Sequence, residues 1–347
     1  MPVVIVASLV QVGGTTKKRK RPMAIQNPYR KFNGMDFAPI PDEILDRATN
    51  EMFAYNEMDD SARADQLKRD AAYNNRWAVP GHMADLDQWA ADSAAVRADV
   101  RCDLDIAYGD GDRETLDILY PDADGPVPLI VFLHGGYWLS MTKDSYSFIG
   151  ENFVKAGAAF AVIGFGLCPD ITLAHMTGQV ERAIAHLWDN SDNYGFDRDR
   201  FYLAGHSSGG HLAAMVLSGG VSGNPPVPPE TFKASVIVSG LFDLAPIAAT
   251  YINNYIQLDD AGVEALSPLH HVPAAGKKMG PLILGTGEHE LAEYFLHQSR
   301  YAAAWAECGH ELQMCDSTGY QHFDVPYDLA NADGKLHQTF KGLMDLG

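Results

Sequence analysis

Cysteine is scarce in this chain of 347 residues, which contains only four cysteines. They are Cys102, Cys168, Cys308 and Cys315, without a CxxC pair and far below the density of a disulfide-stapled domain. This scarcity argues against a disulfide scaffold and favours free thiols in a reducing compartment. We therefore expect a cytoplasmic protein.

Positive charge is also scarce. The chain has 26 Lys and Arg residues against 45 Asp and Glu residues, which gives a net charge of −19. Such a surface repels phosphate backbones and anionic lipids, so we expect neither a nucleic acid nor a membrane partner. The apolar stretch 2–12 is too short to span a bilayer, and the basic residues 17–21 follow it, the reverse of a secretory signal. Residues 1–22 are interpreted as a disordered tail or extension before a natural-looking start at Met23.

The remaining sequence alternates apolar runs with helical segments. Strands are predicted over 126–133, 158–163, 201–204, 234–238, 281–284 and 312–315, and helices over 145–156, 173–190, 209–217 and 291–307. This alternation predicts an α/β fold, with a mostly parallel central sheet and helices on both faces. Alternating apolar residues on either side of Asp110-Gly111 predict an antiparallel hairpin, which precedes the parallel strands in the chain.

Residues 23–347 are predicted to form a single domain. Helix formers over about 41–95 indicate a helical N-terminal segment, and the mixed, proline-containing sequence over about 242–280 indicates a small helical cap. Two interpretations remain for Trp77 and Trp89 in the first segment. They either pack onto the core or line one wall of a substrate pocket.

A Gly-x-Ser-x-Gly motif at 205–209 lies between a predicted strand and a predicted helix. This is the context of a nucleophile elbow, a turn that holds the serine Oγ clear of the sheet. Centring the motif on Ser208 would require glycine at His206, so Ser207 is the predicted nucleophile. The Ser208 N–H, at a helix N-terminus, is one predicted donor to an oxyanion.

A second glycine motif, His-Gly-Gly-Tyr-Trp at 134–138, directly follows a predicted buried strand. Consecutive glycines expose backbone N–H groups at the edge of a parallel sheet where ligands bind. We therefore predict Gly136 and Tyr137 as further oxyanion donors. The neighbouring residues Gly135, Trp138 and His206 are predicted to bind substrate.

A serine nucleophile needs a base, and the chain has 13 histidines. His206 and His211 flank the elbow on regular structure and are expected to pack or orient, whereas His270 and His271 belong to the predicted cap. His322 follows the last predicted strand in a loop before the final helix. The chain order serine, acid, histidine therefore favours His322 as the base.

The acid is expected in the loop after the strand 281–284, which offers Glu288 and Glu290 and no aspartate. Either glutamate could simply stabilise the N-terminus of the next helix. Glu290 adjoins that helix, whereas Glu288 lies at the exit of the strand. Position therefore favours Glu288, with Glu290 as the alternative.

These motifs, together with Leu-Cys-Pro-Asp at 167–170, Gly-Leu-Phe-Asp-Leu at 240–244 and Gln-His-Phe-Asp at 321–324, resemble those of α/β-hydrolases of the kynurenine formamidase (arylformamidase) type and of related esterases with His-Gly-Gly motifs. The resemblance runs from about residue 40 to the end. It implies the α/β-hydrolase fold, a triad of Ser207, an acid and His322, and hydrolysis of an ester or N-formyl amide. The histidine-rich motif of metal-dependent kynurenine formamidases is missing, so we expect no metal and no cofactor.

The leading hypothesis is a serine hydrolase that cleaves a small carboxylic ester or an N-formyl or aryl amide through an acyl-enzyme. Short-chain carboxylesterase or carbamate hydrolase activity is the alternative within this class. A ligand-binding protein on a hydrolase scaffold is the alternative outside it. The expected partner is a small-molecule ester or amide, and a homodimer is kept as an option.

Overall fold

A single sheet organises the molecule. It is seen in a computed structural model that describes residues 59–221, 223, 225–344 and 346. The strands of this described part are β1 (Cys102–Ala107), β2 (Thr115–Leu119), β3 (Val127–Leu133), β4 (Ala159–Ile163), β5 (Phe196–His206), β6 (Phe232–Val238), β7 (Leu282–Gly287) and β8 (Leu312–Ser317). They lie in the order β1-β2-β4-β3-β5-β6-β7-β8. The predictions for residues 1–22, for the start at Met23 and for residues 41–58 concern residues outside this part.

The strand directions confirm the predicted sheet. Strands β1 and β2 form an antiparallel hairpin, β2 pairs antiparallel with β4, and every pair from β4 to β8 is parallel. Strands β3 and β4 are buried along their whole length, as their continuous apolar sequences require. Because the central strands are parallel, their carboxyl ends meet at one edge of the sheet.

Helices surround this sheet. The α-helices of the described residues are α1 (Asp60–Ala72), α2 (Asn75–Ala78), α3 (His82–Asp99), α4 (Glu151–Lys155), α5 (Leu173–Asp189), α6 (Ser191–Tyr194), α7 (Ser208–Leu217), α8 (Ala245–Ala248), α9 (Asn253–Ile256), α10 (Asp260–Leu266), α11 (Ala292–Glu307), α12 (Pro326–Ala330) and α13 (Lys335–Gly342). Short 3-10 turns occur at Lys143–Ser145, Ser147–Gly150, Pro229–Thr231 and Pro268–His270. Two apolar clusters fill the space between these helices and the sheet.

One predicted helix differs from the structure. The stretch 145–156 begins at the last residue of the 3-10 turn Lys143–Ser145 and continues with the 3-10 turn Ser147–Gly150 and the short helix α4. Tyr146 separates the two turns with φ −125° and ψ 3°, which is not a helical conformation. The helical prediction for the N-terminal segment is confirmed from residue 60 onward by α1, α2 and α3.

The segment 242–280 contains three short helices, α8 to α10, in agreement with its mixed sequence. Its role as a cap and the single-domain layout of 23–347 stay predictions. All four cysteines are free thiols. Among the described residues, no helix combines the length and the apolar character that crossing a bilayer requires.

Candidate active site

Ser207 lies in the sharp turn between β5 and α7. Its backbone has φ 57° and ψ −124°, a strained conformation for a residue with a side chain. The turn is held because the Ser207 N–H donates to the Val238 carbonyl, 2.9 Å away, on neighbouring β6. A Cβ atom on Gly209 would lie 2.0 Å from the Leu133 carbonyl oxygen, so only glycine fits there. The structure thus forms the strand–turn–helix that the motif predicted.

Two side chains form a chain of hydrogen bonds to this serine. The Nε2 atom of His322 lies 3.1 Å from Ser207 Oγ, and Nδ1 of the same ring lies 2.7 Å from Glu290 Oε2. A carboxylate only accepts, so the proton resides on Nδ1 and leaves Nε2 free to accept from the serine. All three side chains are buried. This arrangement has the geometry of an activated serine nucleophile.

Glu290 is buried, yet each of its carboxylate oxygens has a donor. Its Oε1 atom accepts hydrogen bonds from the Gly287 N–H, at 2.8 Å, and from the Ser239 hydroxyl. Its Oε2 atom accepts from His322. Because a buried carboxylate without donors would be costly, these contacts fix the position of Glu290 beside the imidazole.

The structure corrects the prediction that Glu288 is the partner of His322. The Glu288 N–H donates to the Ser317 carbonyl on β8 at 3.0 Å, so Glu288 extends the sheet ladder. Its half-buried carboxylate accepts from the Gly319 N–H at 2.8 Å. The chain then turns back, with the Glu290 N–H donating to the Gly287 carbonyl, and this turn directs Glu290 inward. Turn geometry, which strand position does not reveal, selects Glu290.

The loop after β3 carries the second glycine motif. Gly136, Tyr137 and Trp138 all have positive φ, at 122°, 53° and 61°. The Gly136 carbonyl accepts from the N–H groups of Leu139 and Ser140, each at 3.0 Å, which closes a tight turn. Gly136 and Tyr137 both line the cavity at Ser207. The predicted donors of this loop therefore line the same cavity as Ser207.

Trp138, predicted to bind substrate, lies in the core instead. Its indole Nε1 donates to His211 Nδ1 at 3.2 Å, and the other nitrogen of that ring bonds the Leu266 carbonyl at 2.8 Å. Burial lowers the pKa of His211 to about 4, so this ring is neutral and structural. The left-handed backbone of Trp138 turns its side chain away from the cavity. The expectation that His211 packs is confirmed.

Gly135 and His206 are both next to Ser207. A Cβ atom on Gly135 would lie 3.1 Å from Ser207 Cβ, so the glycine leaves room at Ser207. The His206 ring lies 4.9 Å from the His322 ring, centroid to centroid, and lines the cavity. Burial, with His322 nearby, lowers the pKa of His206 well below its usual range. His206 is therefore a neutral wall of the site.

A narrow cavity of about 40 Å³ opens at Ser207 and His322. The N-terminal helical segment supplies one of its walls through Asn75, Arg76 and Trp89. The pocket interpretation thus holds for Trp89, whereas Trp77 stacks on Tyr251, with ring centroids 6.4 Å apart. The sequence did not predict Asn75 and Arg76 as lining residues, because their local pattern does not show which part of the molecule they contact.

Arg76 is the one lining residue of this cavity with a full positive charge. Its Nη2 atom donates to Ser140 Oγ at 3.1 Å, and no carboxylate of the described chain forms an ion pair with it. The guanidinium is exposed at the cavity mouth. It can therefore bind an anionic group of a ligand.

Metal ligands are not grouped in the part of the chain that the structure describes: no set of three His, Cys, Asp or Glu side chains there is arranged to hold an ion. The chemistry that can be derived from the geometry is that of Ser207, His322 and Glu290.

Comparison with known proteins finds relatives that match most of this chain. A family model described as BD-FAE matches residues 116–279. The kynurenine formamidase of Salmo salar is 29% identical over 246 residues, which cover 70% of this chain and 81% of that protein. The kynurenine formamidase of Drosophila melanogaster is 26% identical over 248 residues, or 69% of this chain and 80% of that protein.

Solved structures are consistent with these sequence relatives. A chain from Silicibacter sp., assigned as a thioesterase, superposes with a TM-score of 0.67 at 28% identity, covering 78% of this chain and 98% of that one. Esterase B from Lactobacillus rhamnosis superposes with a TM-score of 0.61 at 19% identity, covering 76% and 94%. The chain has the α/β-hydrolase fold of these structural neighbours. The resemblance that the motifs indicated is confirmed, and these relatives and neighbours indicate a hydrolase of the esterase and arylformamidase type.

Proposed function

We propose that Ser207, His322 and Glu290 are the catalytic triad of this α/β-hydrolase, and that it removes a formyl or other short acyl group from an aryl amine or an alcohol. The observation that carries the proposal is the hydrogen-bond chain from Glu290 through both nitrogens of His322 to Ser207 Oγ. Ser208 is not the proposed nucleophile, because its hydroxyl accepts from the Trp138 N–H at 3.3 Å.

The proposed reaction begins with attack of Ser207 Oγ on the carbonyl carbon. His322 Nε2 takes the serine proton, and Glu290 stabilises the imidazolium that results. The backbone N–H groups of Gly136, Tyr137 and Ser208 are proposed to donate to the oxyanion. His322 then gives the proton to the leaving nitrogen or oxygen, and an acyl-enzyme remains. Water, activated by His322 in the same way, releases the acid.

The substrate class is supported by two features of the cavity and by the relatives. The narrow space at Ser207 favours a small acyl group. Arg76 at the mouth favours a leaving group that carries a carboxylate. Kynurenine formamidase, the name of the relatives that match most of this chain, is consistent with both features. A short-chain carboxylesterase or carbamate hydrolase is the second candidate, supported by the esterase fold neighbours.

A substrate panel tests this proposal. We expect formyl and acetyl anilides or phenyl esters to be cleaved faster than the octanoyl compounds, because the cavity limits the acyl group. We also expect Arg76→Gln to raise KM for 4-formamidobenzoate about tenfold and to leave KM for formanilide unchanged. This change corresponds to about 1.4 kcal/mol, in keeping with a lost hydrogen bond to a charged group.

Arg69→Gln is the matched control, because it removes the same charge from an exposed position on α1 that does not line the cavity. Its KM for 4-formamidobenzoate should equal that of the wild type. Faster cleavage of octanoyl than of acetyl esters would contradict the acyl preference. An equal rise in KM for the charged and the neutral formamide would contradict the role of Arg76. No turnover of any compound would favour the ligand-binding alternative.

The cytoplasmic location belongs to the same proposal, since four free cysteines suit a reducing compartment. The net charge of −19 supports a small-molecule partner rather than a nucleic acid or an anionic membrane. A homodimer is kept as an option for the assembly.

A further inference from the structure

The N-terminal helical segment contacts the loop after β3, which carries the predicted oxyanion donors. The Tyr137 hydroxyl donates a hydrogen bond to the Tyr73 carbonyl, in the turn between α1 and α2. Further along the loop, the Arg76 guanidinium donates to Ser140 Oγ at 3.1 Å, and this hydroxyl donates to the Gly136 carbonyl at 3.1 Å. The segment therefore bonds to the loop through both Tyr137 and Ser140.

The Tyr73 carbonyl belongs to a residue that is itself fixed to the core. Nδ1 of the buried His297 accepts from the N–H groups of Phe242 and Asp243, at 3.1 and 3.2 Å, so this nitrogen carries no proton. The ring proton is then on Nε2, which donates to the Tyr73 hydroxyl at 3.2 Å. Burial lowers the pKa of His297 to about 4, so the ring is neutral and keeps this arrangement at neutral pH.

The hydrogen bonds around the Tyr137 hydroxyl have a single direction. A carbonyl only accepts, so the proton of Tyr137 points at Tyr73. The Tyr294 hydroxyl, 2.9 Å away, must then donate to Tyr137 Oη, and Tyr294 in turn accepts from the Asn75 amide at 2.7 Å. Burial raises the pKa of the Tyr137 hydroxyl well above its usual range, so this proton stays in place at neutral pH. These bonds fix the position of the Tyr137 ring.

The backbone of Tyr137 needs such a restraint. Its φ is 53° and that of its neighbour Trp138 is 61°, and residues with side chains keep left-handed conformations only where surrounding contacts hold them. Trp138 is held by its indole bond to His211 at 3.2 Å, and Tyr137 by its hydroxyl. The N–H groups proposed to hold the oxyanion are those of Gly136 and of Tyr137 itself, so a rotation of this backbone would move them.

We propose that Tyr137 is a positioning residue, whose hydroxyl holds the loop after β3 against the N-terminal segment and so keeps the N–H groups of Gly136 and Tyr137 in place for the oxyanion. This inference rests on the proposed function. Oxyanion donors are effective because they are in position before the charge develops. A loop that is free to turn would stabilise the transition state less and would bind the ground-state substrate as before.

The test is Tyr137→Phe, which keeps the ring and removes only the hydroxyl. We expect kcat for formanilide to fall about tenfold, less than the loss of a whole oxyanion donor, because the N–H groups remain but are displaced. KM should change less than threefold. Phenyl trifluoromethyl ketone forms a tetrahedral oxyanion when a serine adds to its carbonyl, so its affinity should fall by the same factor as kcat/KM.

Tyr108→Phe is the matched control. The half-buried Tyr108 also donates its hydroxyl proton to a backbone carbonyl, that of Gly164 at 2.6 Å, but it does not line the cavity. Its kcat/KM and its affinity for the ketone should equal those of the wild type. Tyr294→Phe removes the donor to Tyr137 and leaves the bond from Tyr137 to Tyr73, so its loss in kcat should be smaller than that of Tyr137→Phe.

An unchanged kcat in Tyr137→Phe would overturn the proposal. A loss in kcat/KM that the affinity for the ketone does not follow would also overturn it, because the loss would then not arise at the oxyanion. Equal losses in Tyr108→Phe and Tyr137→Phe would reduce the effect to general destabilisation, and a larger loss in Tyr294→Phe would exclude the bond to Tyr73 as its cause. A wild type that neither hydrolyses formanilide nor binds the ketone would instead overturn the proposed function.

Discussion

Replacing Glu290 by glutamine should lower kcat by roughly 10⁴-fold, the scale of the equivalent change in serine proteases. The Oε1 position accepts from the Gly287 N–H, so an amide nitrogen there would place two donors face to face. The amide nitrogen of the introduced side chain must therefore turn toward His322 Nδ1. That contact forces the proton onto Nε2, and the ring can no longer accept from Ser207.

Glu288→Gln is the matched control for this experiment, because Glu288 is two residues away and its carboxylate contacts the Gly319 N–H. A glutamine oxygen can keep that contact, so kcat should change less than threefold. Steady-state kinetics on formanilide, with thermal midpoints to confirm folding, measures both variants. A larger loss in Glu288→Gln than in Glu290→Gln would contradict the assignment of the acid.

The second large effect is expected at Gly136. A Cβ atom there would lie 2.1 Å from the Ser140 carbonyl oxygen, and the φ of 122° is one that residues with side chains rarely adopt. Gly136→Ala must therefore shift the loop whose N–H groups are proposed to hold the oxyanion. We expect kcat/KM to fall about 10²- to 10³-fold, which is the effect of losing one oxyanion donor.

Gly125→Ala separates the loss of the donor from simple backbone strain. Gly125 also has positive φ, at 81°, but a Cβ atom there would meet nothing within 4 Å. Its substitution should cost about 1 to 2 kcal/mol of stability and leave kcat/KM unchanged. If Gly136→Ala keeps kcat/KM within threefold of the wild type, the loop does not supply the oxyanion donors.

The features that sequence analysis predicted correctly are those that short sequence patterns determine. Continuous apolar runs identified the buried strands β3 and β4, because a parallel strand covered on both faces has no polar side. The positions of Ser207 and His322 followed from a tight turn and from chain order, both of which are local. Their 3.1 Å contact is the consequence of parallel strands that end at one edge.

The features that the sequence did not predict depend on the direction that the chain takes after a turn. Glu288 and Glu290 are two residues apart, and the turn at Gly287 decides which carboxylate faces His322. Trp138 adjoins a cavity-lining residue, but its backbone conformation directs the indole into the core. Asn75 contacts Tyr294, 219 residues later in the chain, and no local pattern reveals that contact.

Fluorophosphonate labelling followed by peptide mass spectrometry tests the central claim most directly. A probe that reacts with activated serines should modify the wild type once, at Ser207, and should not modify Ser207→Ala. Glu290→Gln should be labelled far more slowly than Glu288→Gln, because the imidazole that accepts the serine proton is then held in the wrong tautomer. Labelling at another serine, or equal labelling of Ser207→Ala and the wild type, would contradict Ser207 as the nucleophile.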